Sequence, residues 1–279
     1  MEADSLRTIA ADGARLVCGR IGSGRPLLVL NGFAATSADW NPSFLDALSS
    51  SNELILLNNR GTGGSTDDGQ PFDVAKLADD AARVIETLGL EHANVMGWSM
   101  GGFIAQALAL NYADRVEKLI LLSTDSGGTD SDLASPAVWS KLVDTSGAPI
   151  EQARRLLFLL FPSDVAEVFS RKFGYIVARS RAQLSPDLLK RQAAAMDAWH
   201  RNGVASRLRE IAVPVLIATG TEDLVIPASN GLKLANAIPN AWLAQFAHGG
   251  HAFMAQYPRA LAELINIFLA VDRSGLRPA

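Results

Sequence analysis

Gly97-Trp98-Ser99-Met100-Gly101 is a G-x-S-x-G pentapeptide set between an apolar run, Asn94-Val95-Met96, and a helix-period run, Phe103-Ile104-Ala105-Gln106-Ala107-Leu108. This order places Ser99 on a sharp turn between a buried strand and a helix, with its hydroxyl exposed above the sheet. A side chain at either flanking glycine would collide with the neighbouring strand or helix. The helix that starts behind the serine supplies free backbone N–H groups and the positive end of a dipole. Both suit a site where negative charge develops during acyl transfer.

The same alternation continues on either side. Apolar runs at 27–30, 54–57, 119–122, 215–218 and 242–244 read as further strands. Residues 6–10 and 15–20 flank Asp12-Gly13, a hairpin turn signal. Leu77, Ala81, Val84, Ile85 and Leu88 recur at helical spacing before a stop at Gly89, and 261–270 closes with a helix. The expected class is α/β: a mostly parallel eight-stranded sheet with helices on both faces. Residues 127–207 break the pattern, with helical periodicity and no strand. Pro136, Pro149, Pro162 and Pro186 punctuate them, three in positions that suit helix starts. This stretch reads as a helical lid over the strand ends, where open α/β sheets bind ligands. The core would then be 1–126 and 208–272, with a polar tail at 273–279.

Composition narrows the function classes. A 279-residue chain that is 48% apolar can bury a large core. The net charge is −4 and no Lys/Arg run resembles a nucleic-acid footprint. The longest apolar run, 156–161, is too short to span a bilayer, so no membrane partner is expected. Met1-Glu2-Ala3-Asp4 shows no secretory signal, and the single cysteine, Cys18, suits a reducing compartment; the expectation is a cytoplasmic protein. No cofactor or metal-ligand set is called for. Arg60-Gly61-Thr62-Gly63-Gly64-Ser65 lacks the lysine of a phosphate loop and reads as a tight loop in which Arg60 bonds neighbouring carbonyls.

A serine hydroxyl needs a base within reach, and the base needs an orienting acid. His92 sits at the far edge of the sheet, and His200 falls on a lid helix face expected to be solvated. His248 and His251 share the loop before the last helix; His251 is favoured, because Gly249-Gly250 free its backbone to lean over the serine. Asp223 follows the strand at 215–218 and is preferred as the acid, with Asp125 as its competitor and Glu222 pointing elsewhere. The N–H groups of Met100, after the serine, and Phe33, after Asn31-Gly32, are the natural oxyanion donors.

On these motifs the chain resembles the α/β-hydrolase superfamily over nearly its whole length. Asn31-Gly32-Phe33 is similar to the H-G-x oxyanion loop, Asn59 to Ser65 to the R-G-x-G-x-S segment, and 97–102 to the nucleophile elbow. Gly220-Thr221-Glu222-Asp223 and Gly250-His251 resemble the acid and histidine loops, and the chain order Ser, Asp, His also matches. The resemblance implies Ser99 as nucleophile, His251 as base, Asp223 as acid, and Phe33 and Met100 as oxyanion donors. Asn31 and Asn58 depart from the usual His and Asp. Serine at the elbow argues against the carboxylate-nucleophile branches, epoxide hydrolases and haloalkane dehalogenases.

The resulting expectation is a serine hydrolase of a carboxylic ester or lactone. The same triad also serves carbon–carbon bond hydrolases, cofactor-free haloperoxidase-like proteins and aminopeptidases, and some superfamily members are non-catalytic receptors. An aminopeptidase would need acidic residues for the substrate amine, which Glu151, Asp164 and Glu167 could offer. The aromatic residues Trp139, Phe158, Phe161, Phe173, Tyr175 and Trp199 suit an apolar acyl or aromatic small molecule, with Trp139, Phe158, Phe161 and Trp199 as the candidate pocket. The stretch 127–207 carries net charge +3 against −7 elsewhere, which would attract anionic substrates.

Overall fold

The apolar runs form the centre of one sheet in the computed structural model, which describes residues 5–271. The acidic start at 1–4 and the expected tail at 273–279 lie outside the described residues. The strands are β1 (Ser5–Ala11), β2 (Ala14–Ile21), β3 (Arg25–Leu30), β4 (Asn52–Leu57), β5 (Ala93–Trp98), β6 (Val116–Leu122), β7 (Val215–Gly220) and β8 (Ala241–Phe246). They make an eight-stranded sheet in the order β1-β2-β4-β3-β5-β6-β7-β8. The pairings β1–β2 and β2–β4 are antiparallel, and the others are parallel. Parallel strands are covered on both faces, which is why 27–30 and 119–122 are apolar at every position rather than alternately.

The helices are α1 (Pro42–Ser49), α2 (Val74–Thr87), α3 (Met100–Asn111), α4 (Pro136–Val143), α5 (Pro149–Leu160), α6 (Ser163–Arg181), α7 (Pro186–Asn202), α8 (Ser229–Ala237) and α9 (Pro258–Ala270). Side chains alternate along β3: Leu27 and Val29 pack with Phe44 of α1 and Phe268 of α9, while Leu28 and Leu30 pack with Leu77 of α2 and Phe103 of α3. The sheet therefore has one core on each side. Helix α3 is buried on nearly every face from Met100 to Ala109, as expected of a helix that is apolar all round.

Helices α4 to α7 follow β6 and precede β7, and no strand interrupts them. Pro136, Pro149 and Pro186 open α4, α5 and α7, where a missing N–H is harmless; Pro162 is the N-cap of α6.

Sheet order explains where a site can form. The chain winds from β3 outward to β4 and then returns to the other flank of β3 with β5. Loops after β3 and β5 thus leave the same edge side by side, at the point where strand order reverses. The parallel run from β5 to β8 brings the loops after β6, β7 and β8 to that edge as well.

Arg60 corrects one reading of the sequence. It does donate to the Asp12 carbonyl at 3.0 Å, but its principal partner is Asp80 of α2, held bidentate by Nε and Nη2 at 2.8 Å each. Both side chains are almost fully buried. Asp80→Ala would strand the guanidinium in the core and is expected to lower unfolding free energy by about 3–5 kcal/mol. Urea melts of Asp80→Ala and of Arg60→Met/Asp80→Leu check this: the double variant, with no stranded charge, recovers most of the loss.

Candidate active site

The serine turn is held by tight backbone contacts. Ser99 has φ 55° and ψ −122°, a left-handed conformation that a non-glycine residue adopts only under constraint. A Cβ on Gly97 would overlap the Gly101 carbonyl, and one on Gly101 would overlap the Leu30 carbonyl. The turn is pinned by Ser99 N–H to the Leu122 carbonyl (2.9 Å) and by the Thr124 hydroxyl to the Ser99 carbonyl (3.0 Å). Met100 is the first residue of α3, so its N–H lies in the turn that has no intrahelical acceptor.

The loop after β3 presses on this turn. A Cβ on Gly32 would come within 3.3 Å of Ser99 Cβ, so glycine there lets residues 31–33 lie against the serine. Asn31 accepts from Trp40 Nε1 and donates to the Leu57 carbonyl, both at 2.6 Å. Asn58 accepts from Ser37 N–H (2.8 Å) and donates to the Gly63 carbonyl (2.9 Å). Both asparagines, the two departures from the family pattern, hold these loops together. The next residue, Ala34, is left-handed at φ 55°. Its N–H donates 2.9 Å to Oε1 of Gln192, a buried side chain of α7. No motif marked Gln192; its helical position shows a buried face but not which loop it meets.

His251 and Asp223 come together over the same edge. His251 Nδ1 lies 2.8 and 3.0 Å from the Asp223 carboxylate oxygens, with both side chains buried. Asp223 also accepts from the N–H groups of Val225 and Ile226, each at 2.9 Å. The His251 carbonyl accepts from Trp98 Nε1 at 2.9 Å, which ties the histidine loop to the end of β5.

The other candidates go elsewhere. Asp125 is buried but accepts from Gly127 N–H (2.7 Å) and the Ser131 hydroxyl (3.3 Å), capping its own loop. His200 is not solvated: it is half-buried between Phe103 and Trp139, its Nε2 3.4 Å from Asp125 without hydrogen-bond geometry. His92 is exposed and faces Glu117 at 3.8 Å. His248 is exposed and bridges Glu222 (2.8 Å) to Asp164 at the start of α6 (3.1 Å). The bond to Glu222, then that to Asp164, hold its pKa above the ordinary histidine value. Glu151 bonds its own helix N-terminus and Glu167 pairs with Arg171, so the three acids considered for an amine do not converge.

A cavity of ≈ 290 Å³ lies over the site, lined by Phe33, Ser99 and His251 below and by residues of α5 and α6 above. Of the four aromatic pocket candidates only Phe161 lines it; Phe173 does so too, while Tyr175 is 78% exposed. Trp199 of α7 stacks on Phe103 and Trp139 of α4 packs on His200, and neither lines the cavity. Phe158 lies under Arg154 on the other side of α5. The cause is common to all three: helical spacing shows that a residue has a packed face, not which neighbour fills it. Among the described residues, no group of three or more His, Cys, Asp or Glu side chains is placed to hold a metal ion, and no helix is long and apolar enough to cross a membrane.

Comparison with known proteins agrees with this geometry at the level of the fold. A family model described as the alpha/beta hydrolase fold matches residues 25–256. A protein of Caulobacter sp. (strain K31), provisionally named carbamate hydrolase RutD, is 31% identical over 261 residues, covering 89% of this chain and 92% of its own. A poly(3-hydroxyalkanoate) depolymerase of Ectopseudomonas oleovorans is 29% identical over 260 residues, covering 89% and 85%. The crystal structure of a hydrolase from Pseudomonas aeruginosa PA01 superposes with a TM-score of 0.80 at 26% identity, covering 97% of this chain and 100% of that one.

Gln192→Leu would leave the Ala34 N–H buried without an acceptor and is expected to reduce stability by about 1–3 kcal/mol. A urea melt reads the loss; an unchanged midpoint would mean that the loop does not depend on α7.

Proposed function

Because this chain belongs to the alpha/beta hydrolase fold family and is a hydrolase, we propose that it cleaves a carboxylic ester or lactone through an acyl-enzyme on Ser99. One observation carries the reading: a serine in a left-handed turn and a histidine bonded to a buried aspartate line the same cavity. Ser99 Oγ attacks the carbonyl carbon while its proton passes to His251 Nε2. Asp223 accepts from Nδ1, which keeps the Nε2 lone pair free and offsets the positive charge the ring acquires. The N–H groups of Phe33 and Met100 hold the oxygen as it becomes negative. His251 returns its proton to the departing alcohol as the tetrahedral intermediate collapses. Water then gives a proton to His251 Nε2 as its oxygen bonds the acyl carbon. The second tetrahedral intermediate breaks its bond to Ser99 Oγ, which takes that proton back from His251 as the acid leaves.

Helices α4 to α7, within the stretch 127–207, act in this reading as a cap that closes the cavity and limits water. A polyester depolymerase and a carbamate hydrolase among the relatives, by their names, both imply attack on an acyl carbon. A carbamate therefore belongs beside esters and lactones in any substrate panel.

Purified protein is expected to turn over p-nitrophenyl esters, and Ser99→Ala to lower kcat by about 10⁴-fold or more. Asp223→Ala should lower kcat about 10³–10⁴-fold, with folding checked by circular dichroism. Asp125→Ala should stay within about tenfold of the parent, since Asp125 caps a loop away from the cavity. Equal losses in the two aspartate variants would contradict the assignment, and full activity in Ser99→Ala would remove it.

A further inference from the structure

The cavity that Ser99 lines also holds a cation with little to balance it. Arg181, the last residue of α6, lines the cavity and is only 7% exposed. Among the described residues its guanidinium has one hydrogen bond, a long one from Nη2 to Gln152 Oε1 at 3.5 Å, and its Nε has no partner. Asp39, the carboxylate whose charge acts on Arg181, already accepts at Oδ2 from Thr36 N–H (2.7 Å), the Thr36 hydroxyl (2.9 Å) and the Ser180 hydroxyl (3.2 Å). Burial, with repulsion from Arg155, pushes the Arg181 pKa below its ordinary value, and the attraction of Asp39 only partly offsets this.

A guanidinium out of water without a counter-ion is unfavourable, and folded proteins meet the need with an Asp or Glu. Arg60 shows that solution in this same chain, with Asp80 held bidentate. Arg181 has no such partner among the described residues, and the remaining cavity wall is largely apolar, with Leu157, Phe173, Ile176 and Val177. An arginine fork in an apolar, water-poor setting matches a planar carboxylate. We propose that Arg181 is a specificity residue that binds a free carboxylate on the substrate, so that the preferred substrates are small esters of the anionic class. The counter-ion arrives with the substrate. The positive charge of the stretch 127–207 would steer such anions inward. This rests on the reading of the cavity as the substrate site, and the test therefore includes a binding arm that needs no turnover.

The kinetic arm compares mono-p-nitrophenyl adipate and 4-carboxyphenyl butanoate with their neutral counterparts, p-nitrophenyl hexanoate and phenyl butanoate. At least one charged ester should be preferred in kcat/KM, and Arg181→Met should lower that charged-to-neutral ratio at least about tenfold, the worth of a charge-assisted hydrogen bond. Arg181→Lys should retain part of the preference. The binding arm titrates adipate into Ser99→Ala by calorimetry, with 1,6-hexanediol as the uncharged control. Adipate should bind, hexanediol should not, and adding Arg181→Met should abolish the adipate signal. Arg181→Met should also raise Tm, because it removes an unpaired buried charge; a merely structural arginine would lower it. An unchanged ratio, or adipate binding that survives Arg181→Met, would overturn the proposal. No turnover of any ester, with adipate binding that depends on Arg181, would count against the ester reading and for the carboxylate site.

Discussion

The crossing of α3 over the end of β5 is the constraint on which the site depends. There the Gly97 Cα meets the Gly101 carbonyl, and Gly101 meets the Leu30 carbonyl of β3, with no room for a Cβ at either position. This close packing forces the intervening Ser99 into its left-handed turn and sets the first N–H groups of α3 beside its hydroxyl. Because β3 and β5 are parallel neighbours in register, Leu30 opposite Gly97, the same contact draws the Asn31-Gly32-Phe33 loop against the serine. Strain at one residue is thereby balanced by packing across two strands and a helix.

The histidine and aspartate are fastened to this centre by separate means. Trp98, the residue before the serine, bonds the His251 carbonyl, so the elbow and the histidine loop move as one piece. Asp223 is aimed by two backbone N–H groups of its own loop before it meets the imidazole. Two further links tie the α4 to α7 layer to the core loops: Gln192 of α7 to Ala34, and Asp164 of α6 to His248. Any shift of those helices would therefore be felt at residues adjoining the Asn31-Gly32-Phe33 and histidine loops.

Much of the fold was legible because local pattern and global need coincide. Runs such as Leu27-Leu28-Val29-Leu30 and Leu119-Ile120-Leu121-Leu122 are apolar throughout because both faces of the sheet are covered. Ser99 was legible because its neighbours must be glycines. Strand order puts the loops of Asp223 and Asp125 at one edge and does not choose between them; side-chain aim does, with Asp223 on His251 and Asp125 capping its own loop. What escaped reading depends on contacts across the chain. Arg60 and Asp80 are 20 positions apart, and Ala34 and Gln192 are 158 apart; no spacing rule joins them. Trp139, Phe158 and Trp199 were misplaced for the same reason, as was the burial of His200. Nothing in the sequence separates Arg181 from the other charges of α6; the lack of a partner for its Nε among the described residues sets it apart.

The central claim is that Ser99 carries the acyl group. The most direct measurement is rapid acid quench of enzyme mixed with excess p-nitrophenyl ester, followed by intact-mass and peptide-mass analysis. An added mass equal to the acyl group, confined to the peptide containing Ser99 and absent from Ser99→Ala, is the predicted result. An acyl adduct on another residue, or turnover with none on Ser99 under conditions where p-nitrophenol appears as a burst, would contradict it.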